Sequence, residues 1–338
     1  MNPSQRSIDS LLEEATVLTL LTKPSSAETH EAERMRMSQT LASRAQNASA
    51  QQRIMMQWLL HFNGNSPHLS KEEAAALQQY VISETYAPTV RLAAAHMLHD
   101  ANILPEEMES TILTLAQSHN SDCIVGAQLV TLVWWAICTF SHDEDELIQT
   151  LLNATFGNPD QFMILGYAAI NNMSGPAILD FLKEMMEIDG NIKINARIFA
   201  NFAARGVRKL LQSYDHEMDD AMIIASAQQT KETTEDDEDV PAQELPQDER
   251  LECADILIKQ VLDVPHVPMQ HFAVLWHVAE HAFKNCNDAK ALYSIEKAEQ
   301  ILNEQRGKQD PQKIAALEKS AIELKEKILE ALEDADEE

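Results

Sequence analysis

Glycine is scarce in this chain. Eight glycines occur in 338 residues, where average usage of about 7% would give about 24. So few glycines leave little room for tight turns, hairpins and phosphate-cradling loops. Neither GxGxxG nor GxxxxGK[ST] occurs, which excludes the nucleotide-binding folds built on those loops. Cysteine is scarcer still: Cys123, Cys138, Cys253 and Cys286 form no CxxC pair. A zinc ribbon and a thioredoxin-type site are therefore unsupported, and a reducing compartment is the simplest expectation. Aromatics make up 5% of the chain. Basic residues are the fourth deficit, with 26 Lys+Arg against 54 Asp+Glu and a net charge of -28. A field of that sign repels the phosphate backbone, so direct nucleic-acid binding is not expected. What remains is 45% hydrophobic, enough for a folded, mostly helical chain.

The N-terminal stretch is not a secretory signal, because Glu13 and Glu14 interrupt its apolar run. Cys123–Ser141 is the one uncharged run long enough to test as a membrane span. Gly126, Gln128 and Thr131 lie inside it, acids flank it, and no Lys or Arg anchors either end. It reads as a central buried helix, and the expected location is cytoplasmic.

Residues 1–50 read as a short amphipathic helix (Ile8, Leu11, Leu12, Ala15, Leu18, Leu21) and a flexible leader. From residue 51 apolar helices follow in pairs. Ser70-Lys-Glu-Glu73 is a capping box, and Pro88 opens the next helix. Val90, Ile124, Met163 and Ile194 each open an apolar helix, at intervals of 34, 39 and 31 residues. Small residues stand one turn in: Ala94/Ala95, Gly126/Ala127, Gly166/Ala168 and Ala196/Ala200. A helix pair of that period cannot bury its own apolar face and stacks on its neighbours. Thr89-Val-Arg91-Leu-Ala-Ala-Ala-His-Met-Leu98 resembles the VRxxAAxxL core of HEAT and armadillo-type repeats. The resemblance covers residues 51–215 and implies an α-solenoid that binds protein partners.

Residues 215–255 hold fifteen acids and two bases. The expectation is an acidic, partly disordered linker over 216–250, then a C-terminal helical domain over 251–338. That domain ends in a coiled-coil-like hairpin, with Ala291, Ile295, Ala298 and Leu302 facing Ile314, Leu317, Ala321, Leu324 and Ile328. Gly307 ends its first helix, and Asp310 with Pro311 starts the second.

Three constellations stand out. His277-Val-Ala-Glu280-His281 resembles the HxxEH zinc motif of the inverted zincins. The spacing of Phe272, Leu275, Trp276, Ala279 and Phe283 instead sets His277, Glu280, His281 and Lys284 on a polar, solvated face. Leu92–Asp100 resembles the AALLHD segment of HD-domain metal phosphohydrolases. That resemblance implies His68, His99 and Asp100 as metal ligands, with Asp143 or Asp160 as a later one. The Gly and Lys usual after HD are Ala101 and Asn102 here. Finally, Gly190–Tyr214 contains no acid but has Lys193, Arg197, Arg205, Arg208 and Lys209, a basic patch spread over two successive helices.

The sequence thus predicts an all-α protein: an irregular HEAT-like solenoid, an acidic linker and a helical hairpin domain. The expected function is a non-enzymatic interaction scaffold or adaptor, with no cofactor and no catalytic or metal site. Its binding residues would be Lys193, Arg197, Arg205, Arg208 and Lys209. The partner would be a protein that is basic or carries an acidic peptide segment. The alternatives are an HD-type phosphohydrolase using His68, His99 and Asp100, and an acidic inhibitor that neutralises a basic target.

Overall fold

In the computed structural model, residues 7–18, 27–62, 69–119, 126–154, 159–187, 196–229 and 248–337 are described. Among them every regular element is a helix. The chain divides into two units, residues 1–173 and 174–338.

The first unit contains α1 (Ile8–Thr16), α2 (Ala27–Arg44), α3 (Ala50–Phe62), α4 (Lys71–Ile82), α5 (Pro88–Asp100), α6 (Glu109–Ser118), α7 (Ala127–Phe140), α8 (Glu144–Ala154) and α9 (Pro159–Asn172). The capping box forms as its sequence dictates. Glu73 N–H donates to Ser70 Oγ at 3.2 Å, and Ser70 N–H donates back to Glu73 Oε2 at 2.9 Å. These bonds hold the Glu73 carboxyl below its ordinary range and satisfy two donors that the first turn leaves open.

α5 packs against α3, α4, α6 and α7, and every residue from Leu92 to Leu98 is buried. The alanines at 93–95 leave room for that close approach. Arg91 turns back, and its Nε donates to the Val81 carbonyl at 2.9 Å, capping the last turn of α4. α7 is the buried helix expected from the uncharged run, with Leu132, Val133, Ala136, Ile137 and Cys138 inaccessible to solvent. Its 14 residues span about 21 Å. No helix among the described residues is long and apolar enough to cross a membrane.

α1 packs against α2, α3 and α7, with Leu11, Leu12 and Ala15 buried. Glu13 lies at the N-terminus of α7, where its Oε1 accepts from the Ala127 N–H. A carboxylate there complements the positive end of the helix. The adjoining glycine lets that carboxylate approach closely, since a Cβ at Gly126 would stand 3.1 Å from Glu13 Oε1.

The second unit contains α10 (Gly175–Glu187), α11 (Ala196–Gln229), α12 (Glu249–Asp263), α13 (Pro268–Lys284), α14 (Asp288–Gln305) and α15 (Pro311–Glu337). α11 runs through Gly206 without a break and continues over residues 216–229, the front of the stretch read as linker. Residues 230–247 lie outside the described residues. Gly206 serves packing: a Cβ there would meet Leu257 Cδ1 of α12 at 2.9 Å and Ile178 Cγ2 of α10 at 3.0 Å. Gly175 similarly admits Cys253, whose Cβ and Sγ would lie 2.8 and 2.9 Å from a Cβ at that position.

α13 packs against α11, α12, α14 and α15. His271 fastens it to α12, with Nε2 3.0 Å from the Val261 and Val264 carbonyls at the end of that helix. α14 and α15 share a core of Ala291, Ile295, Ala298, Leu302, Ile314, Ala321 and Ile328. Between them Gly307 has φ of 78°, a conformation that costs glycine little. Gln312 N–H then donates to Asp310 Oδ1 at 2.9 Å, and Pro311 begins α15.

Candidate functional site

α11 organises both polar features of the second unit. Arg197, Arg205, Arg208 and Lys209 all belong to this one helix rather than to two successive ones, and Lys193 lies outside the described residues. At 100° per residue the four cations fall within an arc of about 120°. Arg197 and Arg208 are exposed, whereas Arg205 and Lys209 are half-buried at its edge. Arg208 Nε donates to Gln212 Oε1 at 3.3 Å, one turn on.

The first acid after this stretch, Asp215, does not offset it at the surface. It is 5% exposed and turns inward to α13. Its Oδ1 accepts from His281 Nδ1 at 2.7 Å and from Asn285 Nδ2 at 3.0 Å. Asn285 Nδ2 also donates to the His281 carbonyl at 2.8 Å. The ring of Tyr214 meets His281 edge-on, with centroids 5.6 Å apart. Arg250 of α12 also lies 5.6 Å from the centroid of the Tyr214 ring. Its Nε and Nη2 grip the Asp248 carboxylate at 2.9 and 2.6 Å, and its Nη1 donates to Glu217. The Arg250 side chain holds the Asp248 carboxyl below its usual range against the opposing pull of burial.

The cluster therefore ties α11, α12 and α13 through groups spread over seventy residues of sequence.

The HxxEH stretch stands differently from its expected solvated face. The side chains of His277 and His281 are 17% and 13% exposed, because α13 is covered by four neighbours. His277 Nδ1 meets Glu280 Oε2 at 3.1 Å, while His281 faces Asp215. Burial raises the Glu280 carboxyl, but the His277 hydrogen bond, His277 charge, a Trp276 hydrogen bond and Lys284 outweigh it and leave the group below its ordinary range. The two histidines are thus each committed to a different carboxylate.

In the first unit, His99 and Asp100 end α5, and His68 lies outside the described residues. His96 Nδ1 is 3.3 Å from Asp100 Oδ2, and His99 Nδ1 is 3.8 Å from Asp100 Oδ1. The imidazoles lean on the Trp135 ring of α7, at centroid separations of 4.6 and 5.7 Å. Of the later candidates, Asp160 lies in the first turn of α9, and Asp143 donates its backbone N–H to Ser141 Oγ and accepts from Glu146 N–H, so it acts as a cap for α8. Among the described residues no group of three or more His, Cys, Asp or Glu side chains is arranged to hold a metal ion.

Sequence reasoning missed Asp215, counting it only as the first of the fifteen acids of residues 215–255. A usable signal was present: Asp215 follows Ala204 and Leu211 at the 7–4 spacing of one helix face.

Comparison of the chain with known protein families, with curated proteins and with solved structures finds no match.

Proposed function

We propose that this protein is a non-enzymatic interaction scaffold or adaptor. It offers an extended helical surface to a protein partner, and residues 51–215 are its HEAT-like, solenoid-forming part. The observation that carries the reading is the cationic face of α11 within a chain of net charge -28. Arg197, Arg205, Arg208 and Lys209 share one side of the helix, and Asp215 is spent internally on His281. A surface of that sign in so acidic a molecule suits a partner that presents an acidic peptide segment. The pairing of α4 with α5 through Arg91 and the buried alanines of α5 support the repeat reading.

The test is capture from the native cells by the tagged full chain, in parallel with an Arg197→Glu/Arg208→Glu variant. The proposal expects a stoichiometric protein partner that the wild type retains at low salt and the variant loses. A stoichiometric metal ion in the eluate with no protein partner would overturn it and favour the HD-type alternative.

A further inference from the structure

α15 has two apolar stripes, and α14 covers only one. Ile314, Ala321 and Ile328 are buried against α14. About a third of a turn away, Ala315, Ile322 and Leu329 repeat every seven residues along open surface. Ile322 is 50% and Leu329 40% exposed. An isolated exposed leucine is ordinary. A heptad series on a helix already paired through its neighbouring stripe is what a further helix packs against.

The flanking charges say which helix. Reading outward from Ile322, Lys319 and Glu318 stand three and four residues before it, and Lys325 and Glu326 three and four residues after it. The charge pattern is therefore mirrored about Ile322. On the helical wheel Lys319 and Glu326 lie on one flank of the stripe, and Glu318 and Lys325 on the other.

When two such helices meet antiparallel about a two-fold axis at Ile322, like flanks face each other with their directions reversed. Lys319 then opposes the second copy's Glu326, and Glu318 opposes its Lys325. At about 1.5 Å per residue the members of each pair stand level to within about 2 Å. Ala315 comes opposite Leu329, small against large, and Ile322 meets itself on the axis. A parallel pair would set Ala315 against Ala315 and bring Glu330 and Glu333 of the two helices side by side. The antiparallel pair separates them.

The outer flank is also free to take part. Lys319 is 79% exposed and only loosely paired with Glu323 at 3.7 Å. Lys325 is already anchored to α14 by Glu299 at 2.7 Å and Glu296 at 3.6 Å, and Glu318 to its end by Arg306 at 2.6 Å. Those bonds hold the inner flank in place, and each carboxylate or ammonium retains capacity for another partner.

We propose that α15 is a self-association surface, on which a second copy of this chain packs antiparallel about Ile322. Two α14–α15 hairpins thereby become a four-helix assembly. The contact spans about 15 residues of each α15, so the dimer is weak and concentration-dependent. Repulsion between two chains of charge -28 adds to that at low ionic strength.

Sedimentation of the full chain at about 0.15 M salt, where the Debye length is about 8 Å, tests it across a wide concentration range. Wild type is expected to move from one to two chain masses. Lys319→Glu alone and Glu326→Lys alone, both surface changes, should each weaken the dimer about tenfold or more. The Lys319→Glu/Glu326→Lys double variant should restore it, because both partners reverse together. With Cys123 and Cys286 replaced by Ser, Ile322→Cys should form a cross-linked dimer under mild oxidation, and Ala315→Cys should not. A chain that stays monomeric throughout, a double variant as weak as the singles, or equal cross-linking at 315 and 322 would each overturn the proposal.

Discussion

His281 and Asp215 lie sixty-six residues apart in sequence, and their Nδ1 and Oδ1 atoms are 2.7 Å apart between α13 and α11. With Asn285 donating to the same oxygen, the carboxylate is solvated by protein in place of water. The tautomer that fits carries its proton on Nδ1. Removing one member of such a pair leaves the other buried and uncompensated. Asp215→Ala should therefore destabilise the second unit by about 1–3 kcal/mol. Asp215→Asn, which keeps an acceptor, should cost less. Urea unfolding followed by circular dichroism measures both, and an Asp215→Ala midpoint equal to wild type would contradict the role assigned to the pair.

The two packed glycines of the second unit should respond unequally to alanine. At Gly175 the new methyl meets the Cβ of Cys253 at 2.8 Å, an atom fixed to the backbone of α12. Gly175→Ala should cost about 1–3 kcal/mol. At Gly206 the nearest atoms are Leu257 Cδ1 at 2.9 Å and Ile178 Cγ2 at 3.0 Å, both on buried side chains, and a gain in helix propensity of up to about 1 kcal/mol offsets part of that clash. Gly206→Ala should cost less than Gly175→Ala. The same unfolding assay decides, and a larger loss at 206 than at 175 would contradict this packing.

Acid should loosen the second unit through two carboxyls. Asp248 and Glu280 are both held below their unfolded values of 3.8 and 4.5. A group depressed on folding contributes its stability in full above its unfolded value and loses it as pH falls through its folded value. The unfolding midpoint should accordingly hold from neutrality down to about pH 5 and fall below that. The acid limb should be shallower in an Asp248→Asn/Glu280→Gln variant. An acid limb unchanged by the double substitution would contradict the assignment.

Thiol reactivity should separate the cysteines. Cys138 is wholly buried in α7, and burial, reinforced by Glu146, pushes its thiol far above the ordinary range. Cys286 is exposed in the turn after α13. A thiol reagent at neutral pH should label Cys286 at once and reach Cys138 only on unfolding. Peptide mapping after brief labelling checks this, and early modification of Cys138 would contradict the packing of α7.

Local features were the legible ones. The capping box at Ser70, the buried run of α7 and the Gly307–Asp310–Pro311 turn each depend on residues a few positions apart, and each forms as its pattern predicts. The misread features depend on distant contacts. Glycine at 206 weakens a helix taken alone and so suggests a break. The helix persists because α10 and α12 need the space that its missing side chain leaves. Glu13 finds the N-terminus of α7 across 114 residues, which no local pattern encodes. Asp215 looked like one of fifteen solvated acids because charge counting ignores which way a side chain faces. His281 looked solvated because α13 has a polar stripe, and α11 supplies that stripe with a partner.

A titration tests the cationic face of α11 without knowledge of the native partner. A fluorescein-labelled oligoglutamate peptide, followed by anisotropy at low salt, should bind the full chain saturably and release as salt rises. The Arg197→Glu/Arg208→Glu variant should bind at least about tenfold more weakly, a loss of about 1.4 kcal/mol. No saturable binding to the wild type, or equal binding by the variant, would contradict the account of α11 as the surface that receives an acidic partner.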